Sequence, residues 1–552
     1  MTDIDYFTDL HCHPSMKAFY SNIRFSDKKN LWEFIPENSE CKELPKILRK
    51  QIREMVKHSQ MNLDTCKKGR VGLLFASLYP IERGWFDENN LSRIIIGKEI
   101  FAKSAVCSSG LNAEVVGIMI DDIENNKAVD YFSDLASEYY YLKSASAKSE
   151  HNENAFFIAN NYNELAEIGF SDDKTSIGLV INIEGCHSLI GFDNYNDLKK
   201  TPFRKLNKKK YPEYLKYKNL IFNNIDILKG SKPLIIDVDG TGTEVNFEHC
   251  PLYITFAHHF WNLLCGHADS LSLGGDMVLN QNRGKNRKFT KLGKEVLYKL
   301  LEKSPAKRRI LIDIKHLSIK SRKAFFKILR EKYYSNNDLF PIISSHSAVN
   351  GRNSYLPVPR EEMEELFFNA ADINLFDEDI RMIYMSDGII GIILNEARLI
   401  GFKPRLKIKK NKKKIRKLKK HEPQSPEIQV LEAENRSEYL LSLVSNIFHI
   451  VDVINKKEAW DMICIGSDFD GMIDALDDYA LASGFSELKV QLMSFLGQTT
   501  DLGKINIDAR RFSHLKFGYS NDVIINKIFH SNSMDFLKKY YHDDFLKFGN
   551  KH

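Results

Sequence analysis

The chain has 552 residues, 43% of them hydrophobic and 28% charged, with a formal net charge of +6. That balance is typical of a globular protein and excludes a fibrous or disordered one. The longest uninterrupted apolar runs, such as 388–394, fall short of the roughly 20 residues a membrane helix needs, so no membrane span is expected.

The opening MTDIDYFTDL has neither the basic nor the apolar region of a secretory signal, and the closing DDFLKFGNKH lacks a lipid-anchor tail. A cytoplasmic location is expected. The eight cysteines form no CxxC pair and are read as reduced thiols.

In chain order, the run Tyr6–Leu10 reads as a buried strand that ends in His11-Cys12-His13. Residues 14–44 read as loop and Pro45–Ser59 as a helix. Gly72–Tyr79 is a second strand, stopped by Pro80. Helical patterns follow near 91–105, 112–124 and Asp130–Lys143, and Asn161–Ala166 reads as a short helix. The third strand, Ser176–Ile183, ends in Glu184.

Residues 190–250 form a long excursion with a basic helical part around Lys208–Lys218 and a turn at Asp237–Gly242. The paired aspartates there lack the further oxygen donors of a calcium loop, so an ordinary turn is expected. A fourth strand, Leu252–Ala257, ends in His258-His259. An amphipathic helix over Phe289–Lys303 leads to a fifth, Arg308–Ile314, closed by His316. A helix over 319–333 precedes a sixth, Pro341–Ser345, closed by His346, and Pro359–Phe368 begins another helix. Gly388–Leu394 is the seventh strand. After a helix over Ser437–Asn455, Met462–Ser467 is the eighth and ends in Asp468.

Between Lys403 and Lys420 stand twelve Lys or Arg and no acid, so setting those twelve aside turns +6 into −6 for the rest of the chain. This run is expected to be a solvated, partly disordered insertion, with nonspecific polyanion contact as the second reading. It has no aromatic residue on which bases could stack, and no specific nucleic-acid partner is expected.

Eight short apolar strands separated by helices predict an α/β chain folded as a (β/α)₈ barrel over residues 1–475. Insertions are expected at about 190–250 and 402–435, and helices over 476–552 packed on the barrel. Six of the strands deliver a histidine or carboxylate at their C-terminal ends, the end where barrel enzymes hold their chemistry.

Imidazole and carboxylate donors suit Zn²⁺ or a similar divalent ion. His11 and His13, two residues apart on a strand, aim at one point; Glu184 has two oxygens with which to bridge two ions, and His316 and His346 serve the second. Two such ions activate a shared water, Asp468 is the candidate proton carrier, and His258 the candidate for polarising a carbonyl or stabilising an oxyanion. His259 and His267 are read as structural, His187 as supporting, Asp313 as a hydrogen-bonding support of the metal ligands, and Asp470 as a cap on the following turn.

The ordered motifs resemble those of the membrane (renal) dipeptidase family of the amidohydrolase superfamily. INIEGCHSL is similar to VEGGHS, YITFAHH to LTLTH, FTKLGKEVL to LTxxGKEVV, LIDIKHLS to DLSHVS and PIISSHS to PVIFSHS. DGIIGIILN resembles NGGVVGVNF, ICIGSDFDG resembles GIGSDFDG, and FGYSNDVIINKIFHSNSMDFL resembles the family's closing helix. The resemblance implies a dipeptide or small-amide hydrolase with two zinc ions. It also implies Glu184 as bridging ligand, His316 and His346 on one zinc, Asp468 as proton shuttle and His258 on the substrate. Arg352 is the nearest candidate for the arginine that holds the substrate carboxylate. The family's first motif is His-x-Asp, whereas this chain has the His-x-His of the wider superfamily.

The competing readings keep the metals but change the substrate to a lactone, phosphoester or N-acyl amino acid, or make the barrel a non-catalytic binding protein. A small-molecule or dipeptide substrate is the expected partner, with a homodimer as the candidate assembly.

Overall fold

The computed structural model describes residues 6–87, 89–147, 155–171, 174–270 and 279–549; the last three residues of the expected C-terminal extension lie outside them. Eight parallel strands follow one another in sheet order: β1 Phe7–Cys12, β2 Val71–Leu78, β3 Lys174–Glu184, β4 Tyr253–Thr255, β5 Leu311–Asp313, β6 Ile343–Ser347, β7 Ile389–Ile392 and β8 Ile463–Ile465. The sheet closes through a parallel bridge between Cys12 and Phe469, with His13 N donating to Phe469 O at 2.9 Å and Asp468 N to His11 O at 2.9 Å. The fold is therefore a (β/α)₈ barrel. The strands are buried between the barrel interior and the helices; β7 and β8 are apolar throughout, whereas β1 and β6 also bury Asp9, His11, Ser344, Ser345 and His346.

The amphipathic helix anticipated over Phe289–Lys303 spans Lys291–Leu301, with Leu292, Val296, Leu297, Leu300 and Leu301 buried and Thr290 Oγ1 capping Gly293 N at 2.8 Å. The helices after β8 share the barrel's hydrophobic core. Thr8 Oγ1 bonds Ser533 Oγ at 2.9 Å, and Trp460 Nε1 donates to Leu515 O at 2.8 Å.

Several expectations are corrected. The helix over Pro45–Ser59 is only Lys46–Gln51, and that over Pro359–Phe368 is only Arg360–Glu365. Asn161–Ala166 belongs to a 3₁₀ turn, Tyr162–Glu167. Flanking it are two unexpected strands, Ala155–Ile158 parallel and Gly169–Ser171 antiparallel to the first half of β3. The excursion 190–250 holds a helix, Pro212–Leu228, and a hairpin of Leu234–Val238 with Thr241–Val245. Asp237 Oδ1 accepts from Gly240 N at 2.9 Å, as an ordinary turn requires.

The basic run is not disordered: Phe402–His421 is one helix, antiparallel to the helix Glu427–Ile454. Ile408, Asn411, Lys412 and Ile415 recur at helical spacing and are buried, a stripe concealed in the sequence by the surrounding lysines. Facing carboxylates neutralise much of the run, with Lys407–Glu438 at 2.7 Å and Lys419–Glu432 at 2.8 Å. Lys412 Nζ reaches Glu396 at 2.7 Å and Asp477 at 2.8 Å. Among the described residues Glu427–Ile454 is the one helix long and apolar enough to cross a membrane, and most of that apolar stretch is buried.

The reading of every cysteine as a reduced thiol is also corrected. Cys41 and Cys107 form a disulfide between segments 66 residues apart, a pairing that spacing does not reveal. The other six are free.

Candidate metal centre

The barrel's C-terminal rim converges on Glu184, which ends β3 and is 3% exposed. From β1, His11 Nε2 lies 3.5 Å from Glu184 Oε1 and His13 Nε2 lies 3.0 Å from Oε2. His316, His346 and His258 each place Nε2 3.5 Å from Oε1. Asp468 Oδ1 stands 3.9 Å from Nε2 of both His11 and His13. The backbone helps to aim these groups: His316 and Asp468 both have φ of +64°. Left-handed conformations outside glycine persist where surrounding structure holds them, often at functional sites. Gly185 has φ of +94°, and a Cβ there would lie 2.3 Å from His187 Nδ1, so only glycine lets β3 turn beneath the rim.

A second layer fixes the rings. His13 Nδ1 faces Ser77 O at 2.9 Å; a carbonyl only accepts, so the proton sits on Nδ1 and Nε2 presents a lone pair. His346 Nδ1 meets Ser345 Oγ at 2.9 Å, and that hydroxyl donates to Asp313 Oδ2 at 2.6 Å. Asp313 also accepts from Thr255 Oγ1 at 2.6 Å, so it ties β4, β5 and β6 together beneath the ligands. Asp9 does the same for β1 and β8, accepting from Ser467 N at 2.9 Å and His11 N at 3.2 Å.

The donor set fits divalent ions. Nε2 of His11 and of His13 are buried without a hydrogen-bond partner. The donor atoms of His11, His13, Glu184 and Asp468 lie within 4.8 Å of one another, as do those of Glu184, His316 and His346. Tetrahedral ligands about 2.1 Å from an ion are separated by ~3.4 Å, close to the donor spacing around Glu184. Water-excluded imidazole lone pairs and a carboxylate packed this closely repel unless a cation lies among them.

Electrostatics follow from burial and neighbours. Burial alone would raise Glu184, but His258, His11 and His13 hold it well below the usual carboxylate range. Burial lowers both His316 and His346. Burial and the Glu184 charge raise Asp468 to about 8, against His13 and Lys315.

Glu82, four residues past β2, escaped the sequence reading because Pro80 breaks the strand pattern before it. Its Oε2 lies 2.6 Å from His258 Nδ1, and its carboxylate accepts from Phe260 N at 3.1 Å and His259 N at 3.3 Å. Burial opposes ionisation, yet His187 and His258 hold Glu82 at about 2. His187 Nε2 faces Pro80 O at 2.8 Å. His259 is held by Ser270 Oγ at 2.7 Å, and its ring lies 4.9 Å from that of His316. Cys12 is fully buried between its two histidines. Asp470 accepts from Gln60 N and Met61 N at 2.9 Å and pairs with Lys17 at 3.1 Å, so it anchors a distant loop rather than capping its own turn.

Arg352 is placed apart from this cluster in its contacts. Nη1 pairs with Asp372 at 2.8 Å, Nη2 donates to Leu356 O at 2.6 Å, and the guanidinium lies 4.6 Å over the Phe376 ring.

Barrel and rim together define a class: (β/α)₈ proteins with a histidine and carboxylate centre at the C-terminal ends of the strands. No protein-family model and no curated protein matches the chain. Among solved structures it is similar to dipeptidase AC, a metallopeptidase of family M19, at 12% identity and TM-score 0.44, covering 99% of this chain and 100% of that one. It is similar to a metallopeptidase from Rhodobacter sphaeroides liganded with a phosphinate mimic of the dipeptide L-Ala-D-Ala, at 11% identity and TM-score 0.45, with 97% and 99% covered. The probable dipeptidase PvdM from Pseudomonas aeruginosa matches at 15% identity and TM-score 0.43, with 87% and 88% covered.

Proposed function

We propose that the chain is a hydrolase of dipeptides or related small amides that works with two divalent ions, zinc being the first candidate. The observation that carries this reading is the set of four imidazole Nε2 atoms, from His11, His13, His316 and His346, within 3.5 Å of the Glu184 carboxylate. His11 and His13 with Glu184 would hold one ion, and Glu184 with His316 and His346 the other. Bound there, such ions supply Lewis acidity, which brings water toward ionisation at neutral pH and polarises an amide carbonyl.

The chain's own groups do the rest. Asp468 takes the proton of the attacking water on its carboxylate, beside His11 and His13, and hands it to the leaving amine. The Glu82 carboxylate on Nδ1 helps His258, raised by Glu184 and Glu82 against its burial, to keep both ring protons. Nε2–H then donates to the carbonyl oxygen as negative charge develops there. Burial of the rim keeps bulk water from screening these interactions.

The choice of dipeptides over other substrates is supported by the ordered motif resemblance. The test is hydrolysis of the stereoisomers of Ala-Ala by protein loaded with zinc or manganese, together with metal analysis. Bound metal and release of alanine support the reading. Protein that takes up no metal and releases no alanine overturns it.

A further inference from the structure

The twelve Lys and Arg between Lys403 and Lys420 divide into two sets. Seven pair with carboxylates of the surrounding chain, among them Lys407 with Glu438 at 2.7 Å, Arg416 with Glu54 at 3.0 Å and Lys419 with Glu432 at 2.8 Å. The other five, Lys409, Lys410, Lys413, Lys417 and Lys420, are exposed, and among the described residues none has a carboxylate within ion-pair distance.

The division follows the helix Phe402–His421. At 3.6 residues per turn the five unpaired lysines fall on one crest about 100° wide, on the side opposite the buried stripe of Ile408, Asn411, Lys412 and Ile415. The paired cations all lie outside that arc. Phe402 and Leu406 share the crest at its N-terminal end and are 46% and 51% exposed, which makes a strip about 27 Å long that is apolar at one end and cationic along the rest. Within it Lys409 and Lys413, Lys413 and Lys417, and Lys417 and Lys420 stand three or four residues apart, a spacing at which like charges destabilise a helix. An anionic surface laid along the crest removes that repulsion.

We propose that this crest docks the protein on an anionic lipid surface, with the helix lying flat, the five lysines among the headgroups and Phe402 and Leu406 entering the interface. The charge pattern favours a flat partner over a nucleic acid. A helix in a DNA groove meets phosphates on both flanks, whereas the flanking cations here already hold carboxylates of the chain itself. No aromatic residue stands among the five lysines to stack a base. Each lysine close to an anionic bilayer contributes about fivefold in affinity, so the five together suffice for reversible attachment. The docking surface stands apart from the metal centre and does not depend on the hydrolase reading.

The test is co-sedimentation of the full chain with vesicles of phosphatidylcholine alone and of phosphatidylcholine and phosphatidylserine in equal parts. Three variants accompany the wild type, with circular dichroism checking the fold of each. One joins Lys409→Gln, Lys413→Gln and Lys417→Gln; a second removes the same charge elsewhere, from the exposed Lys208, Lys291 and Lys294, each to Gln; the third joins Phe402→Ser and Leu406→Ser. The wild type is expected to bind the mixed vesicles and not the neutral ones, and to be released by salt. The crest triple binds about 100-fold more weakly, the control triple keeps its affinity, and the Phe402 and Leu406 variant weakens severalfold. Equal binding to both vesicles, a control triple that falls as far as the crest triple, or an unchanged affinity in the Phe402 and Leu406 variant overturns the proposal. So does crest-dependent binding of duplex DNA by protein that leaves the vesicles untouched, which assigns the crest to a nucleic acid.

Discussion

Nε2 of His316 and Nε2 of His346 stand 3.3 Å apart, each 3.5 Å from the same oxygen of Glu184. Three donor atoms at the corners of so small a triangle form one face of a coordination site. His346→Ala is expected to lower bound zinc from two equivalents to one and to reduce kcat/KM at least 100-fold. Metal analysis after dialysis checks the stoichiometry, and two retained equivalents would remove His346 from the ligand set.

Asp468→Asn keeps the shape of the side chain and removes its basicity. Metal content is expected to stay near that of the wild type while kcat falls by about 10²–10⁴, the usual contribution of a positioned proton carrier. A kcat within threefold of wild type would assign the proton transfer elsewhere.

Glu82 links site chemistry to stability. Its carboxyl is lowered from 4.5 to about 2, so its ionised form stabilises the folded chain fully above 4.5, and that stabilisation disappears as pH falls through 2. The difference is worth about 3 kcal/mol. Urea unfolding should show Glu82→Gln less stable by that order at pH 6, with the gap about halved at pH 3. A gap that does not change with pH would contradict the charge assigned to Glu82.

Lys412 ties the basic helix to the barrel through Glu396, both being almost wholly buried. Lys412→Met leaves a buried carboxylate without its main partner and is expected to cost about 3–5 kcal/mol. Lys412→Met with Glu396→Gln should recover much of that loss in denaturant unfolding. A double variant no more stable than the single one would show that the pair is not the tie.

The Cys41–Cys107 bond closes a separation of 66 residues. Chain entropy assigns such a loop about 4 kcal/mol. Thiol titration of the unfolded, unreduced chain should count six thiols, and Cys41→Ser should lower the unfolding midpoint. A count of eight would show that the bond does not form.

The barrel was legible because most of its buried parallel strands carry a short apolar run, and because His11, His13, Glu184, His258, His316, His346 and Asp468 punctuate six of their ends. What escaped has physical reasons. Glu82 follows a proline that interrupts the strand pattern. Lys315 looks like an ordinary surface charge until its burial is known, and Cys41–Cys107 depends on tertiary proximity. The helix Phe402–His421 reads as a solvated, partly disordered insertion because its apolar stripe is only a few residues wide and its lysines find their carboxylates on a partner helix.

Anomalous scattering from crystals of the zinc-loaded protein tests the two-ion centre most directly. Two peaks are expected on either side of the Glu184 carboxylate, one against His11 and His13 and one against His316 and His346. A single peak remote from Glu184, or none in protein shown to be folded, would contradict it.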